Sequence, residues 1–356
     1  MANNPSNVLV TRDLAAELTA RVAQVPSGQL FILTDQTTRR QCLPALRQIP
    51  ALAQAPVFSM EDGDDAKNID TVIRLWQWLG ENGGTRKSML INLGGGVVTD
   101  LGGFAANTFK RGIRYINLPT SLLSMVDAAV GGKTGINFNG LKNEIGVIHA
   151  AEAVLIDAGF LTTLDAQNLL SGFAEMLKHG LLDTPSHLDR LLAFDFQQPD
   201  FDSLSGLITL SLAVKQRIVE QDPTEKGIRK SLNLGHTIGH AFESFSHSQQ
   251  RPLLHGYAVA YGMIAELFLA HKLCGFPQKQ LVEVVRFIRE NYGAFEIACK
   301  DYPTLYDLMC HDKKNDAVGK INFTLLDDVG QVHLDCHTTQ DLIYQGLDFY
   351  RDSVGL

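Results

Sequence analysis

Cysteine is scarce in this sequence, and no two cysteines form a CxxC pair. The five that occur among 356 residues are scattered along the chain: Cys42, Cys274, Cys299, Cys310 and Cys336. An odd and scattered set without a CxxC pair favours reduced thiols over a disulfide framework. Reduced thiols of this kind are typical of the cytoplasm, so we expect a cytoplasmic protein.

Long apolar runs, a basic leader and an excess of positive charge are also missing. No stretch approaches the roughly 18 apolar residues needed to cross a bilayer, so we expect no membrane partner. The opening MANNPSNVLVTRDLAAEL has neither a basic start nor an apolar core, and we expect no signal peptide. A net charge of −8 argues against a general nucleic-acid binder.

Two glycine-rich stretches are present, but neither matches a standard nucleotide motif. LINLGGGVVTDLGGF (90–104) follows a predicted strand and opens a predicted helix, where backbone amides can approach a phosphate. Its spacing is not GxGxxG, and a tight packing turn explains it equally well. VGGKTGIN (130–137) contains the Gly-Lys-Thr of a P-loop, but position 127, where the P-loop needs its first glycine, is Asp127. This disfavours ATP hydrolysis.

The predicted secondary structure of the chain changes near residues 160–165. Before that point, strand-like segments such as QLFILTD (29–35) and KSMLINLGGG (87–96) alternate with helical ones, which predicts a parallel α/β sheet. After it, helical patterns dominate over 165–182, 203–220, 232–246, 255–274 and 278–292, with one predicted hairpin at 320–335. At 356 residues, two domains are expected.

Three histidines in LNLGHTIGHAFESFSHSQQRPLLHG (232–256) stand at spacings suited to a metal, without a protease-type HExxH. His236 and His240 share one helical face, and His255 begins the next predicted helix. Glu175 lies within the apolar FAEMLKHG, where a carboxylate needs a partner. One carboxylate and two imidazoles make a catalytic zinc set, whereas surface histidines and an ion pair of Glu175 with Lys178 or His179 are the simpler interpretation.

Taken together, these stretches resemble the 3-dehydroquinate synthase family. The resemblance covers nearly the whole chain in order, through DGDDAK, GGGVVTDLGGF, KRG, PTSLLSMVDAAVGGKTGIN, LKN, FAEMLK, KQRIVEQDPTEKGIR, LNLGHTIGH, LLHG and HDKKN. It implies a NAD-binding Rossmann-like α/β domain with a parallel sheet over 1–164. A mainly α-helical metal- and substrate-binding domain follows over 165–356, and the family further implies a homodimer.

The resemblance also implies an activity and its ligands. 3-Deoxy-D-arabino-heptulosonate 7-phosphate becomes 3-dehydroquinate and phosphate in the shikimate pathway, with transient use of NAD and with zinc, or alternatively cobalt, as the metal. The implied metal ligands are Glu175, His236 and His255, while His240 acts on the substrate and as a proton relay.

An anionic substrate needs a local positive pocket in an acidic protein. By resemblance it is built from Arg111, Lys133, Lys142, Lys178, Lys215, Arg229 and one of Lys313 and Lys314. The hydroxyls of the substrate are implied to bind Asp127, Asn143, Asn233 and His240.

The implied NAD contacts lie mostly in the first half of the chain. They are Asp35, Asp64, Lys67, Gly95, Gly96, Val97, Asp100, Thr120, Ser121, Thr163 and Leu164, with Asp127, Lys133 and Lys142 serving cofactor and substrate together. An acidic residue after the first predicted strand suits a free ribose hydroxyl, and therefore NAD over NADP.

Four positions depart from the family's usual residues: Asp64, Ser121, Asn168 and Tyr257. Three rival functions share parts of the pattern. A sibling sugar-phosphate cyclase has the same cofactor and metal sets, a metal-dependent polyol dehydrogenase releases NADH stoichiometrically, and a third rival binds NAD or metal without catalysis. Asn143, Asn233, His240 and the DKK run favour the dehydroquinate synthase.

Overall fold

The computed structural model describes residues 7–311 and 320–356. The chain divides into two compact units: unit 1 comprises Met1–Asp165 with Asp200–Thr209, and unit 2 comprises Ala166–Pro199 with Leu210–Leu356. Residues 200–209 thus belong to unit 1, although they lie in the range predicted for the C-terminal domain. The division into a NAD-binding domain over 1–164 and a metal- and substrate-binding domain over 165–356 stays a prediction. No described helix combines the length and apolarity that spanning a membrane requires.

Unit 1 is built on a six-stranded parallel sheet. Its strands run in the order β1-β8-β5-β4-β2-β3. The strands are β1 (Val8–Val10), β2 (Leu30–Asp35), β3 (Val57–Met60), β4 (Met89–Gly94), β5 (Arg114–Pro119) and β8 (Ala153–Ile156). Every residue of β4 is buried, as expected of a central parallel strand covered on both faces.

Short helices connect these strands. They are α1 (Leu14–Val22), α2 (Gln36–Gln41), α3 (Leu43–Leu46), α4 (Ile69–Glu81) and α5 (Gly96–Thr108). From β2 the chain moves outward to β3, and from β4 it moves the opposite way to β5 and β8. The neighbours β2 and β4 therefore flank the topological switch point, where parallel sheets open a crevice for ligands at the carboxyl ends of their strands.

A two-stranded antiparallel hairpin, β6 (Lys133–Phe138) and β7 (Leu141–Ile148), is a feature that the sequence patterns did not predict. Seven of the eight residues of β7 are exposed and the remaining one is half-buried. The alternation of apolar and polar residues that identifies a strand is weak here, because β7 is exposed along almost its whole length in the part of the chain that the structure describes.

Unit 2 is mainly helical. Its helices are α6 (Ala166–Leu181), α7 (Pro185–Leu192), the second part of α8 (Phe201–Gln221), α9 (His236–Ser248), α10 (His255–Cys274), α11 (Gln278–Tyr292), α12 (Tyr302–Cys310) and α13 (Gln340–Val354). A hairpin of β9 (Phe323–Asp328) and β10 (Gln331–Cys336) interrupts them. The predicted order, a parallel α/β sheet followed by a helical region with one hairpin, is confirmed.

One helix begins later than predicted. The sequence predicted a helix from residue 232, but α9 begins at His236, and a short 3-10 helix occupies Ile228–Asn233. Gly235 has φ 77°, a left-handed conformation that ends the preceding turn and that glycine adopts without strain. As a result, His236 stands at the very start of a helix, as His255 does in α10.

Candidate active site

The candidate site in unit 2 is built around the carboxylate of Glu175, which is fully buried on α6. Its two oxygens have different partners. Oε2 forms an ion pair with Lys178, one turn further along α6. Oε1 lies 3.3 Å from Nε2 of His236 and 3.4 Å from Nε2 of His255. One oxygen therefore forms the Glu175–Lys178 ion pair, while the other faces both imidazoles, as the predicted metal-ligand set requires.

The three groups fit a divalent metal ion. Ligand atoms of Glu175, His236 and His255 all lie within 4.8 Å of one another. Zinc bonds of about 2.0–2.2 Å in a tetrahedron place neighbouring ligand atoms about 3.4 Å apart. The 3.3 and 3.4 Å separations from Oε1 to the two imidazole nitrogens match that spacing. These residues can therefore hold zinc or cobalt at their common centre.

The electrostatics of the trio favour a cation. Burial alone would raise the pKa of Glu175, but the charges of Lys178 and His236 lower that pKa well below its ordinary value. Burial would lower the pKa of His255, yet its hydrogen bonds to Glu175 and Glu243 raise it to about 9. An ionised carboxylate that stabilises positive charge on its neighbours also stabilises a divalent cation placed among them.

The second nitrogen of each imidazole is held by an acceptor. Nδ1 of His236 lies 3.1 Å from the carbonyl oxygen of Leu234, and Nδ1 of His255 lies 3.0 Å from Oε2 of Glu243. A carbonyl or an ionised carboxylate can only accept, so in both rings Nδ1 carries the proton. Nε2 is therefore the nitrogen that faces Glu175 in both rings, and loss of its proton provides the lone pair that a metal ligand requires.

The helices that carry the histidines are capped by side chains from other helices. Gly235, which precedes α9, has no side chain, and Glu266 of α10 accepts hydrogen bonds from the amides of Gly235 at 2.6 Å and Ile238 at 2.9 Å. Ser171 of α6 accepts from the amide of Gly256 in α10 at 3.1 Å. Helix starts leave amides without intrahelical acceptors, and these contacts satisfy three of them.

Glycines let the backbone of α10 come close to the start of α9 and to α6, which brings the capping side chains within hydrogen-bond distance. A Cβ at Gly262 would lie 2.1 Å from the carbonyl oxygen of Gly235, and one at Gly256 would lie 1.8 Å from that of Ser171. Both contacts are with backbone atoms, which cannot rotate away. Only glycine therefore allows α10 to pack this closely against the start of α9 and against α6.

His240 lies beside the trio. Its ring centroid is 5.3 Å from that of His236 and 5.9 Å from that of His255. It does not belong to the Glu175 group, but ligand atoms of His240, Glu243 and His255 form a second set within 4.8 Å. The position agrees with a residue next to the metal, and its implied role on the substrate stays a prediction.

Three cations of the predicted substrate pocket are buried in unit 2. The relative exposures of Lys178, Lys215 and Arg229 are 1%, 6% and 4%. Burying a charged group is costly unless anions or hydrogen bonds compensate it. The loop before Arg229 is organised by Asp222, whose Oδ2 accepts from the amides of Gly227 at 2.7 Å and Arg229 at 3.2 Å.

The other predicted residues of unit 2 have more varied surroundings. Asn233 is half-buried and ends the 3-10 helix before α9. Lys313 and Lys314 lie outside the described residues. Tyr257, which departs from the family pattern, packs edge-on against Tyr292 with ring centroids 5.2 Å apart. Asn168, another departure, is half-buried in α6.

Unit 1 places several predicted NAD contacts around the switch point. Asp35 ends β2, and its Oδ1 accepts from the amide and the hydroxyl of Thr38, which caps α2. Gly95 and Gly96 follow β4 at the start of α5, and Val97 is the next residue. A Cβ at Gly96 would lie 3.1 Å from the Cβ of Ala128. The glycine turn therefore serves close packing and also exposes a helix N-terminus.

A second group of predicted residues forms a polar cluster around Lys67. The buried ammonium of Lys67 donates to Oδ1 of Asn143 at 2.6 Å and to Oδ2 of Asp100 at 3.1 Å. Asp64 belongs to the same cluster and lies 3.9 Å from Nζ of Lys67 and 3.9 Å from Nζ of Lys142. Burial raises the pKa of Asp100 to about 6, although Lys67 lowers it.

The remaining predicted residues of unit 1 lie at strand ends, turns and exposed positions. Thr120 and Ser121 follow β5, and the hydroxyl of Ser121 accepts from the amide of Ser124 at 3.3 Å. Asp127 lies half-buried in a π-helical turn. Arg111 is exposed with φ 70°. Lys133 and Thr163 are exposed, and Leu164 is half-buried.

Sequence reasoning did not find Glu243, Glu266 or Ser171. Glu243 stands seven residues after His236, a helical spacing that places both on one face of α9, and this was an available signal. Glu266 and Ser171 act on helices that are distant in the sequence, and no local pattern indicates such contacts.

Comparison with known families agrees with the family resemblance of the sequence motifs. Residues 57–171 match the N-terminal model of 3-dehydroquinate synthase, and residues 172–315 match its C-terminal model. A 3-dehydroquinate synthase of Parabacteroides distasonis is 52% identical over 349 residues, covering 98% of this chain and 99% of its own. The chain belongs to the 3-dehydroquinate synthase family. The family resemblance read from the ordered motifs is thereby confirmed.

Solved structures share the fold. The 2-epi-5-epi-valiolone synthase of Streptomyces hygroscopicus, with NAD+ and Zn2+ bound, is 26% identical with a TM-score of 0.81, covering 97% of this chain and 96% of its own. A 2-deoxy-scyllo-inosose synthase in complex with carbaglucose-6-phosphate, NAD+ and Co2+ is 21% identical with a TM-score of 0.82 and the same coverage. The latter likeness supports the fold alone.

Proposed function

We propose that this chain converts 3-deoxy-D-arabino-heptulosonate 7-phosphate to 3-dehydroquinate and phosphate, the second step of the shikimate pathway. It is an enzyme, a lyase of the 3-dehydroquinate synthase family, and its substrate is a phosphorylated sugar acid. The observation that carries the proposal is the buried set of cations in unit 2, where Lys178, Lys215 and Arg229 occur together with the Glu175 trio.

NAD and zinc are the proposed cofactors, with cobalt as the alternative metal. When bound, NAD takes up and returns a hydride, and the metal polarises the oxygens of the substrate. Glu175, His236 and His255 are the proposed metal ligands. Two imidazole nitrogens and one carboxylate oxygen leave a tetrahedral position open for substrate. The side chain of His255 is 29% exposed, which gives access to that position.

The buried cations bind the two anionic groups of the substrate. A neutral polyol needs no such charges, whereas a carboxylate and a phosphate form strong charge-assisted hydrogen bonds with lysine and arginine. Arg111, Lys133, Lys142 and one of Lys313 and Lys314 complete the proposed set. The residues proposed to hydrogen-bond the hydroxyls are Asp127, Asn143, Asn233 and His240, with His240 also holding and passing a proton.

In unit 1 the proposed NAD site is the switch point between β2 and β4. Oδ2 of Asp35 accepts no hydrogen bond among residues 7–311 and 320–356, and so it can receive a ribose hydroxyl while Oδ1 caps α2. The amides at the start of α5, around Gly95 and Gly96, are proposed to bind the pyrophosphate. The Lys67 cluster, with Asp64 and Asp100, contributes further polar contacts, and so do Thr120, Ser121 and Thr163.

We further propose that the chain is a homodimer. The β6–β7 hairpin carries large apolar side chains that remain exposed within one chain: Leu141 at 48%, Ile145 at 37% and Ile148 at 64%. Several large apolar side chains exposed on one hairpin are typical of a protein interface. Analytical ultracentrifugation tests this, and a monomer at micromolar concentration would contradict it.

The deciding experiment measures phosphate release from the heptulosonate phosphate, with and without NAD, while nicotinamide absorbance is followed. We expect product to exceed bound NAD many-fold without accumulation of NADH. Build-up of NADH equal to product would assign a dehydrogenase. Equal activity on sedoheptulose 7-phosphate, which lacks the carboxylate, would assign a sibling cyclase.

A further inference from the structure

The two imidazoles of the trio are held in different ways. Nδ1 of His236 donates to the carbonyl oxygen of Leu234, a neutral acceptor two residues away in the chain. Nδ1 of His255 donates to Glu243, a charged acceptor on another helix. The orientation of His236 is thus set by its own backbone, while that of His255 depends on a single side chain of α9.

We propose that Glu243 is a positioning residue that fixes His255 as a metal ligand. The inference rests on the proposed metal site. At 3.0 Å the carboxylate of Glu243 holds the proton on Nδ1, and Nε2 then faces Oε1 of Glu175 at 3.4 Å. The side chain of Glu243 is 13% exposed, so solvent competes little for this hydrogen bond.

A carboxylate behind a metal-binding imidazole has two effects. It selects the tautomer and restrains the ring, and its charge makes the coordinating nitrogen a stronger donor to the metal. Glu243 also connects the helices that supply the two imidazoles, because it lies on α9 with His236 and contacts His255 at the start of α10. This contact therefore ties His255, at the start of α10, to the helix that carries His236.

A direct role for Glu243 as a ligand is the competing interpretation. Ligand atoms of His240, Glu243 and His255 also lie within 4.8 Å of one another. These three residues are all half-buried, whereas Glu175 is fully buried and lies close to two Nε2 atoms at once. The Glu175 set therefore fits the metal better, and Glu243 acts from behind.

The experiment is a zinc titration of the full-length chain after chelator treatment, in competition with a chromophoric chelator. Glu243→Ala should weaken zinc binding by about 10- to 100-fold. Glu243→Gln keeps an acceptor oxygen for Nδ1 but loses the charge, so we expect a loss of about 3- to 10-fold. Glu290→Gln, on the exposed face of α11, is the matched control and should bind zinc as the parent chain does.

Three further readouts distinguish the outcomes. Visible spectra of the cobalt-loaded Gln variant should keep the band positions of the parent chain, because the ligands are unchanged; shifted bands would make Glu243 a ligand and overturn the proposal. Glu175→Gln should lose zinc, and if it binds zinc normally the metal site itself is wrong. If Glu175→Gln loses zinc while Glu243→Gln binds within two-fold of the parent, the site stands and the positioning role fails. Circular dichroism checks folding, and the Gln variant decides alone if the Ala variant unfolds.

Discussion

Four ionisable side chains around one point define the chemistry proposed for unit 2. Glu175 is fully buried, and it is compensated by Lys178 on one oxygen and by two imidazoles near the other. A buried charge that loses its partner is strongly destabilising. The site therefore tolerates little change, and variants at it must be checked for folding before activity is interpreted.

The ligands and the adjacent histidine respond differently to removal. Glu175→Gln, His236→Ala and His255→Ala should each lose zinc and activity together, because two protein ligands hold zinc poorly. His240→Ala should retain nearly one zinc per chain and lose most of its turnover, since His240 stands beside the trio and outside it. Metal analysis of the four purified variants checks this. Full zinc in His255→Ala with none in His240→Ala would mean that the two histidines of α9 are the chelate.

Asp100 gives a pH-dependent prediction for unit 1. Its pKa is raised from 3.8 to about 6 in the folded chain, so the folded state binds the proton more tightly than the unfolded state. The associated stability is complete below pH 3.8 and is lost as the pH rises through 6. Asp100→Asn mimics the protonated form, and its stability advantage should grow by about 1.4 kcal/mol between pH 5 and pH 8.

Urea unfolding followed by tryptophan fluorescence measures this effect. Both tryptophans, Trp76 and Trp78, lie in α4 and report on unit 1. Asp70→Asn, an exposed change in the same helix, is the control and should show no such pH dependence. An advantage that is constant or shrinks with rising pH would contradict the raised pKa.

In unit 2, the starts of α9 and α10 are held in place by side chains from other helices. α9 and α10 both begin with a proposed ligand, and both starts are capped in trans, by Glu266 and Ser171. A carboxylate at a helix N-terminus also interacts favourably with the helix dipole. The caps therefore fix the position of the first residue in each helix, which is the residue that faces Glu175.

Removal of the cap on α9 should destabilise unit 2. Glu266→Ala leaves two buried amides without their acceptor, and we expect a loss of about 3 kcal/mol in the free energy of unfolding. Glu266→Gln keeps one acceptor oxygen and should lose less. Urea unfolding by circular dichroism measures both, and Glu290→Ala should stay within about 0.5 kcal/mol of the parent.

Hydrogen exchange gives a local check on the same cap. The amides of Gly235 and Ile238 donate directly to Glu266, so they should exchange faster in Glu266→Ala while amides near the end of α9 change less. Uniform acceleration along α9 would indicate general destabilisation instead of a lost cap.

Because the chain has two units, we expect it to unfold in more than one step, so that a single midpoint does not describe the process. Zinc binds the proposed site only when unit 2 is folded. A free zinc concentration 100 times the dissociation constant should therefore stabilise that unit by about 2.7 kcal/mol. Circular dichroism unfolding with chelator and with zinc measures the shift. Glu175→Gln should show no shift, and an equal shift in that variant would place zinc elsewhere.

Much of this architecture follows from local pattern. Alternating strand-like and helical segments before residue 160, and helical periodicity after it, predicted the order of the elements. They could do so because a helix or strand with one buried face repeats its apolar residues at a characteristic spacing. The hairpin β6–β7 was missed because β7 is exposed along almost its whole length and so shows no alternating burial pattern, and the start of α9 was placed four residues early because the left-handed Gly235 leaves no periodic signal.

The sequence by itself determined which chemical groups are available: one glutamate in an apolar helix, histidines at helical spacing, and the ordered motifs that identify the family. It left open whether Glu175 pairs with Lys178 or binds metal with the histidines. Only the tertiary structure decided that one oxygen of Glu175 pairs with Lys178, while the other is placed to bind a metal together with the histidines. The reason is physical: spacing along a chain fixes neighbours within a helix, whereas the contacts among α6, α9 and α10, including Glu243 on His255 and Glu266 on α9, arise from packing between helices that no local pattern specifies.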